Sequence, residues 1–179
     1  MTTLRINRAP VLTLWASVVA ERLGWPPDTA LTMGQAVAGM TAHAKGVRLG
    51  IFAESAECTH EPPPPNPAGV TGEIKVAPLL GRIVHVAPTK DGPRAVTNGE
   101  LVKPEAVARY LGNKFGDSLA DARHVMEKLA ATMPPDKINE RGFGLYERFR
   151  PEVPSDEKGW GAKGVLDLAK IEALARGAK

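Results

Sequence analysis

The chain has 179 residues and a formal net charge of +3, and 43% of its residues are hydrophobic, a composition that fits one or two small globular domains. Its single cysteine, Cys58, excludes an intramolecular disulfide framework and every all-cysteine zinc site, and it favours a reducing compartment. Because no stretch reaches the ~18 apolar residues that cross a bilayer, we exclude a membrane protein and place the chain in the cytoplasm. A secretory leader is the alternative, since Arg5 and Arg8 precede an apolar run.

The first segment, residues 1–53, predicts two helices. Pro10 suits the first turn of a helix, and apolar residues follow it at helical spacing until Gly24, which ends the helix. We expect this first helix to be amphipathic. Pro27 and Asp28 then form a turn and a helix N-cap. The second helix carries an apolar stripe, whose members are Leu31, Met33, Val37 and Met40.

A proline-rich linker is predicted over residues 54–72. Residues 54–73 carry four acidic residues and no basic residue, and the prolines between 62 and 67 can neither continue a helix nor pair inside a sheet. A small antiparallel sheet follows over residues 73–103. It contains a hairpin that carries Lys90 and Arg94 at its tip.

The last segment, residues 104–179, is predicted to be helical. Pro104 opens a short helix, Asp117 or Ser118 caps another, and a proline pair precedes a third. The tail from Asp167 to Arg176 forms one more helix. We therefore expect a mainly helical α+β protein with an N-terminal helical corner, a hairpin sheet and a C-terminal helical part. The length allows either one core or two domains.

The corner between the two N-terminal helices combines small side chains with a flexible turn. Ala20 lies four residues before Gly24, and Ala30 lies six residues after it, where two helices must approach closely. Residues 19–31 thereby resemble the helix-turn-helix motif of DNA-binding proteins. The resemblance implies that the second helix enters a major groove and that the hairpin acts as a wing on the duplex.

Six residues are the candidate nucleic-acid contacts in this interpretation. Amide and hydroxyl groups on the second helix can read base edges, and cations near glycines can approach phosphates. The base readers are Thr32 and Gln35, and the phosphate contacts are Lys45, Arg48, Lys90 and Arg94. The alternative is that the first two cations only complement a helix C-terminus and that the other two belong to a solvated loop.

A second resemblance comes from three short sequences near the N-terminus. RAPVLTLW at 8–15, VVAERLG at 18–24 and KGVRLG at 45–50 are similar to an uncharacterised bacterial protein family. This resemblance implies a bacterial protein that is related to the family over its whole length. It supplies no catalytic residue and no mechanism.

Enzymatic sites have little support in the sequence. Cys58 and His60 place a thiol near an imidazole, but the acidic linker around them lacks the electropositive setting that lowers a thiol pKa. The histidines have no i, i+4 spacing that would suit a metal. The glycine-rich stretches 112–116 and 159–164 lack the spacing of a phosphate-binding loop. We expect no catalytic residue, cofactor or metal.

The sequence therefore favours a duplex-DNA-binding protein of regulatory type. The alternative is a protein-interaction or structural module, and an enzyme is the least favoured class. A net charge of +3 is small for a duplex binder, which usually has a clear basic face. In either of the first two classes we expect a homo-oligomer or a protein partner.

Overall fold

Helices hold most of the residues that the structure describes, and the described strands form two separate antiparallel sheets. The computed structural model describes residues 3–48, 69–97, 99–151 and 164–177. This is the mainly helical α+β class that the sequence predicts. The elements in chain order are β1 (Thr3–Ile6), α1 (Arg8–Arg22), α2 (Pro27–Arg48), β2 (Lys75–Leu79), β3 (Arg82–Ala87), β4 (Arg94–Thr97), β5 (Glu100–Leu101), α3 (Pro104–Phe115), α4 (Leu119–Ala130), α5 (Pro135–Phe149), β6 (Gly164–Asp167) and α6 (Leu168–Gly177).

Helix α1 is buried on all its faces. Every residue from Pro10 to Ala20 is buried, because α2, α3, α4, α5 and β2 all pack against this helix. Its two buried hydroxyls are satisfied within the helix: Thr13 Oγ1 donates to the Ala9 carbonyl at 2.9 Å, and Ser17 Oγ donates to the Thr13 carbonyl at 2.7 Å. The expectation of an amphipathic first helix is therefore wrong. The segment is apolar all round and forms the centre of the core.

The contact between α1 and α2 depends on a glycine. Gly24, with φ of 106°, ends α1 and turns the chain, and Ala20 and Ala30 are both buried beside the turn. Further along α2, Gly34 lies directly on α1. A Cβ atom at Gly34 would overlap the Thr13 carbonyl oxygen and the Ser17 hydroxyl. The backbones of the two helices can approach this closely only because Gly34 has no side chain.

The larger sheet packs one face against α2 and α1. Its strand order is β2-β3-β4-β5, and its buried inner residues include Leu79, Val84, Val86 and Ala95. Two threonines of α2 bind the sheet. Thr29 Oγ1 donates to the Pro93 carbonyl at 2.7 Å, and Thr32 Oγ1 accepts from the Ala95 N–H at 3.0 Å.

The turn between β2 and β3 is joined to α5 and, through it, to α1. Leu80 has a φ of 51°, which is unusual for a residue with a side chain, and its side chain is buried against Gly142. The Leu80 N–H donates to Asn139 Oδ1 at 2.8 Å. Trp15 Nε1 of α1 donates to the Gly142 carbonyl at 2.9 Å. These contacts offset the cost of the left-handed backbone at Leu80.

The second sheet joins the two ends of the described chain. β1 and β6 are antiparallel, with Leu4 opposite Leu166 and Ile6 opposite Gly164. The sequence patterns predict neither of these strands. The C-terminal helices agree closely with their predicted positions, and Asp167 Oδ1 accepts from the Ala169 N–H at 3.0 Å at the start of α6.

One continuous cluster of buried side chains includes residues from the predicted segments 1–53, 73–103 and 104–179. The predicted linker, residues 54–72, lies outside the described residues except at its end. There Val70 pairs with Thr89 as an isolated antiparallel bridge. The described parts of the three segments therefore share one core.

Replacement of Gly34 by alanine tests the close contact between α1 and α2. We expect Gly34→Ala to lower the free energy of unfolding by about 1–3 kcal/mol, since the new methyl group meets backbone that cannot move aside. Gly39→Ala is the matched control on the same helix, because a Cβ atom there meets nothing. The control should be neutral or stabilising by up to ~1 kcal/mol. Urea unfolding measures both, and equal stabilities of the two variants would contradict the contact.

Tyr146 makes the stability depend on pH in alkaline solution. Burial raises the pKa of Tyr146 from 10.0 to about 12, although Arg150 and Arg8 lower it. The folded state therefore holds the phenol proton more tightly than the unfolded state does. A contribution of roughly 3 kcal/mol is present below pH 10 and is lost as the pH rises towards 12.

Tyr146→Phe removes this group, so we expect its unfolding free energy to fall less steeply than that of the parent protein between pH 10 and 12. At neutral pH the variant should be less stable by about 1 kcal/mol, because the phenol no longer donates to the Arg8 carbonyl. Denaturant unfolding at several pH values measures both effects. Parallel pH profiles for the two proteins would show that Tyr146 is not responsible.

Candidate functional site

The two predicted base readers lie in different environments on α2. Thr32 is fully buried, and its hydroxyl donates to the Thr29 carbonyl at 2.7 Å while it accepts from the Ala95 N–H. Thr32 is therefore a core residue that cannot reach a base edge, which corrects its predicted role. Gln35 is exposed.

The surface that α2 leaves open is narrow. α1, α3, β3 and β4 cover most of the helix, so its exposed residues up to position 39 are Pro27, Asp28, Gln35 and Gly39. This strip contains one acidic residue and no basic residue. Lys45 and Arg48 belong to the last turns of α2, and their side chains lie outside the described part of the chain.

The predicted hairpin between β3 and β4 is present, and its loop lies beside the start of α2. Lys90 is exposed in this loop. The Arg94 guanidinium donates to two carbonyls of the loop itself, those of Pro93 at 2.9 Å and Asp91 at 3.3 Å. A cleft of about 220 Å³ between loop and helix is lined by Asp28 and Asp91 as well as Arg94, so its charge is mixed.

The four predicted phosphate contacts do not meet at one place. Thr29 touches the β3–β4 loop, and Lys45 lies 16 residues further along the same helix. At 1.5 Å per residue this separation is roughly 24 Å. The structure brings Lys90 and Arg94 near the start of α2, at the opposite end of the helix from Lys45 and Arg48.

The outer face of the four-stranded sheet holds two of the three large hydrophobic residues that are exposed in the described part of the chain. The antiparallel register aligns Val76, His85, Val96 and Leu101 in one row across the strands and places Pro78 opposite Ile83 in the next. Val76 is 61% exposed and Ile83 is 53% exposed. We call these six residues the outer sheet face.

The apolar residues of the outer sheet face are visible in the sequence of β2 and β3. In β2 and β3 both alternating sets contain apolar residues, for example Ile83 and Val84, or Val76 and Ala77. A strand with one solvated face normally alternates apolar and polar residues. The apolar residues Val76 and Ile83 on the outer side therefore depart from this pattern.

The charges and edges of the sheet limit how this face can be used. Among the six residues of the outer sheet face, His85 is the ionisable one, and none of the six carries a carboxylate. The edge strand β2 is blocked for strand addition at one end, because Pro78 has no N–H and its carbonyl accepts from Asn139 Nδ2 at 3.1 Å. Among the described residues, strand addition is therefore restricted at the Pro78 end of β2, whereas Val76 and Ile83 on the face are exposed.

Within the described ranges, no three His, Cys, Asp or Glu side chains converge on a position that could hold a metal ion. Every buried side-chain nitrogen or oxygen in that part of the chain has a hydrogen-bond partner. Cys58 and His60 lie outside it. None of the described helices combines the length and hydropathy needed to cross a membrane.

Comparisons with protein-family models, with curated proteins and with solved structures found no match for this chain. The resemblance of the opening residues to a bacterial family and the resemblance of residues 19–31 to a helix-turn-helix motif stay predictions.

Proposed function

We propose that this protein is a protein-interaction module that associates through the outer sheet face. The observation that carries the proposal is the pair Val76 and Ile83, two large apolar side chains more than half exposed on the same face. Contiguous exposed apolar patches on soluble domains mark interaction surfaces. Its single cysteine, Cys58, supports a cytoplasmic setting for the interaction.

A second copy of the chain is the partner that suits this surface. The face carries no described carboxylate, so two copies can meet without burying an unpaired acid. Two sheets pack face to face at ~10 Å, and a two-fold axis would use the same patch on both copies. Full burial of one such apolar side chain is worth about 1.5–3 kcal/mol, and Val76 and Ile83 are already partly covered. Association has its own entropic cost, so we expect a weak dimer that dissociates between micromolar and millimolar concentration.

The oligomeric state tests this proposal. A carboxylate introduced at Val76 or Ile83 would be desolvated without a partner in the dimer, so Val76→Asp and Ile83→Asp should each shift the equilibrium to monomer. Sedimentation equilibrium measures the dissociation constant, and we expect it to rise by at least about tenfold, which is 1.4 kcal/mol.

Val165→Asp is the matched control for these variants. Val165 is 49% exposed, similar to Ile83, but it lies on β6 in the other sheet. Its substitution should leave the dissociation constant unchanged. A parent protein that is monomeric up to millimolar concentration, or an equal effect of all three substitutions, would contradict the proposal. Circular dichroism and urea unfolding check that each variant is folded.

Duplex DNA binding is the second candidate function. One contact favours it: Thr29 bonds to Pro93, so the β3–β4 loop and the start of α2 lie side by side, as a wing and a recognition helix would on one duplex. Gln35 and Lys90 are exposed on these two elements. The acids Asp28 and Asp91 in the same region weaken this candidate, because they repel phosphates.

Fluorescence anisotropy with a mixed-sequence duplex tests DNA binding at low and at moderate salt. Binding through phosphates must weaken steeply as salt rises, and Lys90→Ala should weaken it further. Gln35→Ala should change the preference among sequences more than the affinity for mixed-sequence DNA. Absence of binding at low salt would remove this candidate.

A further inference from the structure

A groove beside α5 and α6 combines an apolar floor with a basic wall. It has a volume of about 580 Å³ and lies between α5 and the C-terminal half of α6. Met133, Leu145 and Leu174 contribute apolar surface, and each of them is half-buried. Arg141 and Arg148 of α5 also line it.

Helix α5 has one face in the core and another face in the groove, because residues three or four positions apart lie on the same side of a helix. Ile138, Gly142, Tyr146 and Phe149 form the buried face of α5. Arg141, Leu145 and Arg148 follow at i, i+4 and i+7 and form its groove face. Two helical turns separate the arginines, which is ~10.5 Å along the helix axis.

Among the described residues, these two arginines have no counter-charge, whereas neighbouring cations have one. Lys137 pairs with Glu140 at 3.8 Å, and Lys128 pairs with Glu172 at 3.5 Å. Arg141 and Arg148 are exposed and form neither an ion pair nor a hydrogen bond with any described residue. The acids nearest to them in sequence, Glu140 and Glu147, project about 100° away around the helix. The groove therefore offers two positive charges that no described residue neutralises, beside apolar surface.

We infer that this groove binds an amphipathic helix of a partner protein, with two acidic residues spaced two turns apart. The spacing of the arginines equals that of residues i and i+7 on such a helix. Apolar residues of the bound helix would pack between α5 and α6, where the flexible Met133 can adapt to their shape.

The shape of the groove favours a helix over other anionic ligands. It is open to solvent, so its occupant needs a polar side that faces water, which an acyl chain does not have. A nucleic acid would satisfy the arginines, but its backbone would leave the Leu145 and Leu174 surface unused. An acidic amphipathic helix satisfies both the charge and the apolar floor.

A displayed library of random peptides of about 16 residues, roughly four helical turns, tests the inference on the full-length protein. Peptides selected on the parent protein should be amphipathic and should carry acidic residues at i and i+7. Their affinity for the Arg141→Glu/Arg148→Glu variant should be weaker by at least about tenfold. Replacement of the two acids in a selected peptide by lysine should restore binding to that variant.

A second double variant controls for net charge. Lys103→Glu/Arg109→Glu makes the same change in charge on exposed positions at and near the start of α3, and it should leave peptide affinity unchanged. The monomeric Val76→Asp variant should also bind the peptides normally, which separates this inference from the proposed dimer. Selected peptides without acids, equal binding to the Arg141→Glu/Arg148→Glu variant, or stronger arginine-dependent binding of dodecanoate than of any peptide would overturn the inference.

Discussion

The close approach of α2 to α1 at Gly34 is the contact on which the rest of the structure depends. Because Gly34 lies against the backbone of Thr13 and the hydroxyl of Ser17, the two longest apolar helices of the N-terminal part form one tightly packed pair. α1 has no polar face, so the pair leaves apolar surface on the remaining sides of α1. That surface has to be covered by elements from later in the chain.

Later elements of the chain cover the apolar surface of α1, and this packing fixes their positions. α4 and α5 pack on α1, and the larger sheet covers the other side of the pair with its inner face. Trp15 of α1 makes two contacts with α5. Its ring packs edge-to-face on Phe149, with centroids 5.4 Å apart, and its Nε1 donates to the Gly142 carbonyl. The β2–β3 turn is held at the same place by Leu80 and Asn139. The outer sheet face and the groove of α5 and α6 are surfaces that this arrangement leaves open.

Much of the fold could be predicted from local signals in the sequence. Prolines and glycines mark the helix ends, and the positive φ and buried alanines at the Ala20, Gly24 and Ala30 corner agree with the residues chosen there. Helical periodicity could not show that α1 is covered on every side, since burial depends on elements distant in sequence. Strands β1 and β6 could not be predicted for the same reason, since each is four residues long and its partner lies at the other end of the described chain. The sequence also does not predict the Leu80–Gly81 turn, because leucine rarely takes a left-handed backbone conformation.

The candidate site was harder to predict than the fold. A threonine on a helix suits a base edge or a core hydrogen bond equally well, and only the position of β4 shows that Thr32 bonds to Ala95. The outer sheet face could be predicted only with the strand register, which brings Val76 and His85 from separate strands into one row. The i, i+4, i+7 spacing of Arg141, Leu145 and Arg148 is visible in the sequence. The groove itself could not be predicted without knowing that α5 and α6 line it together.

The most direct test of the central claim, that two copies meet through the outer sheet face, is a dilution series of protein with labelled isoleucine methyl groups, followed by NMR. Ile83 lies on that face, whereas Ile6, Ile138 and Ile171 are buried in the core. The account predicts that the Ile83 methyl signal shifts between micromolar and millimolar concentration while the three core signals stay in place. An Ile83 signal that does not move with concentration would contradict it.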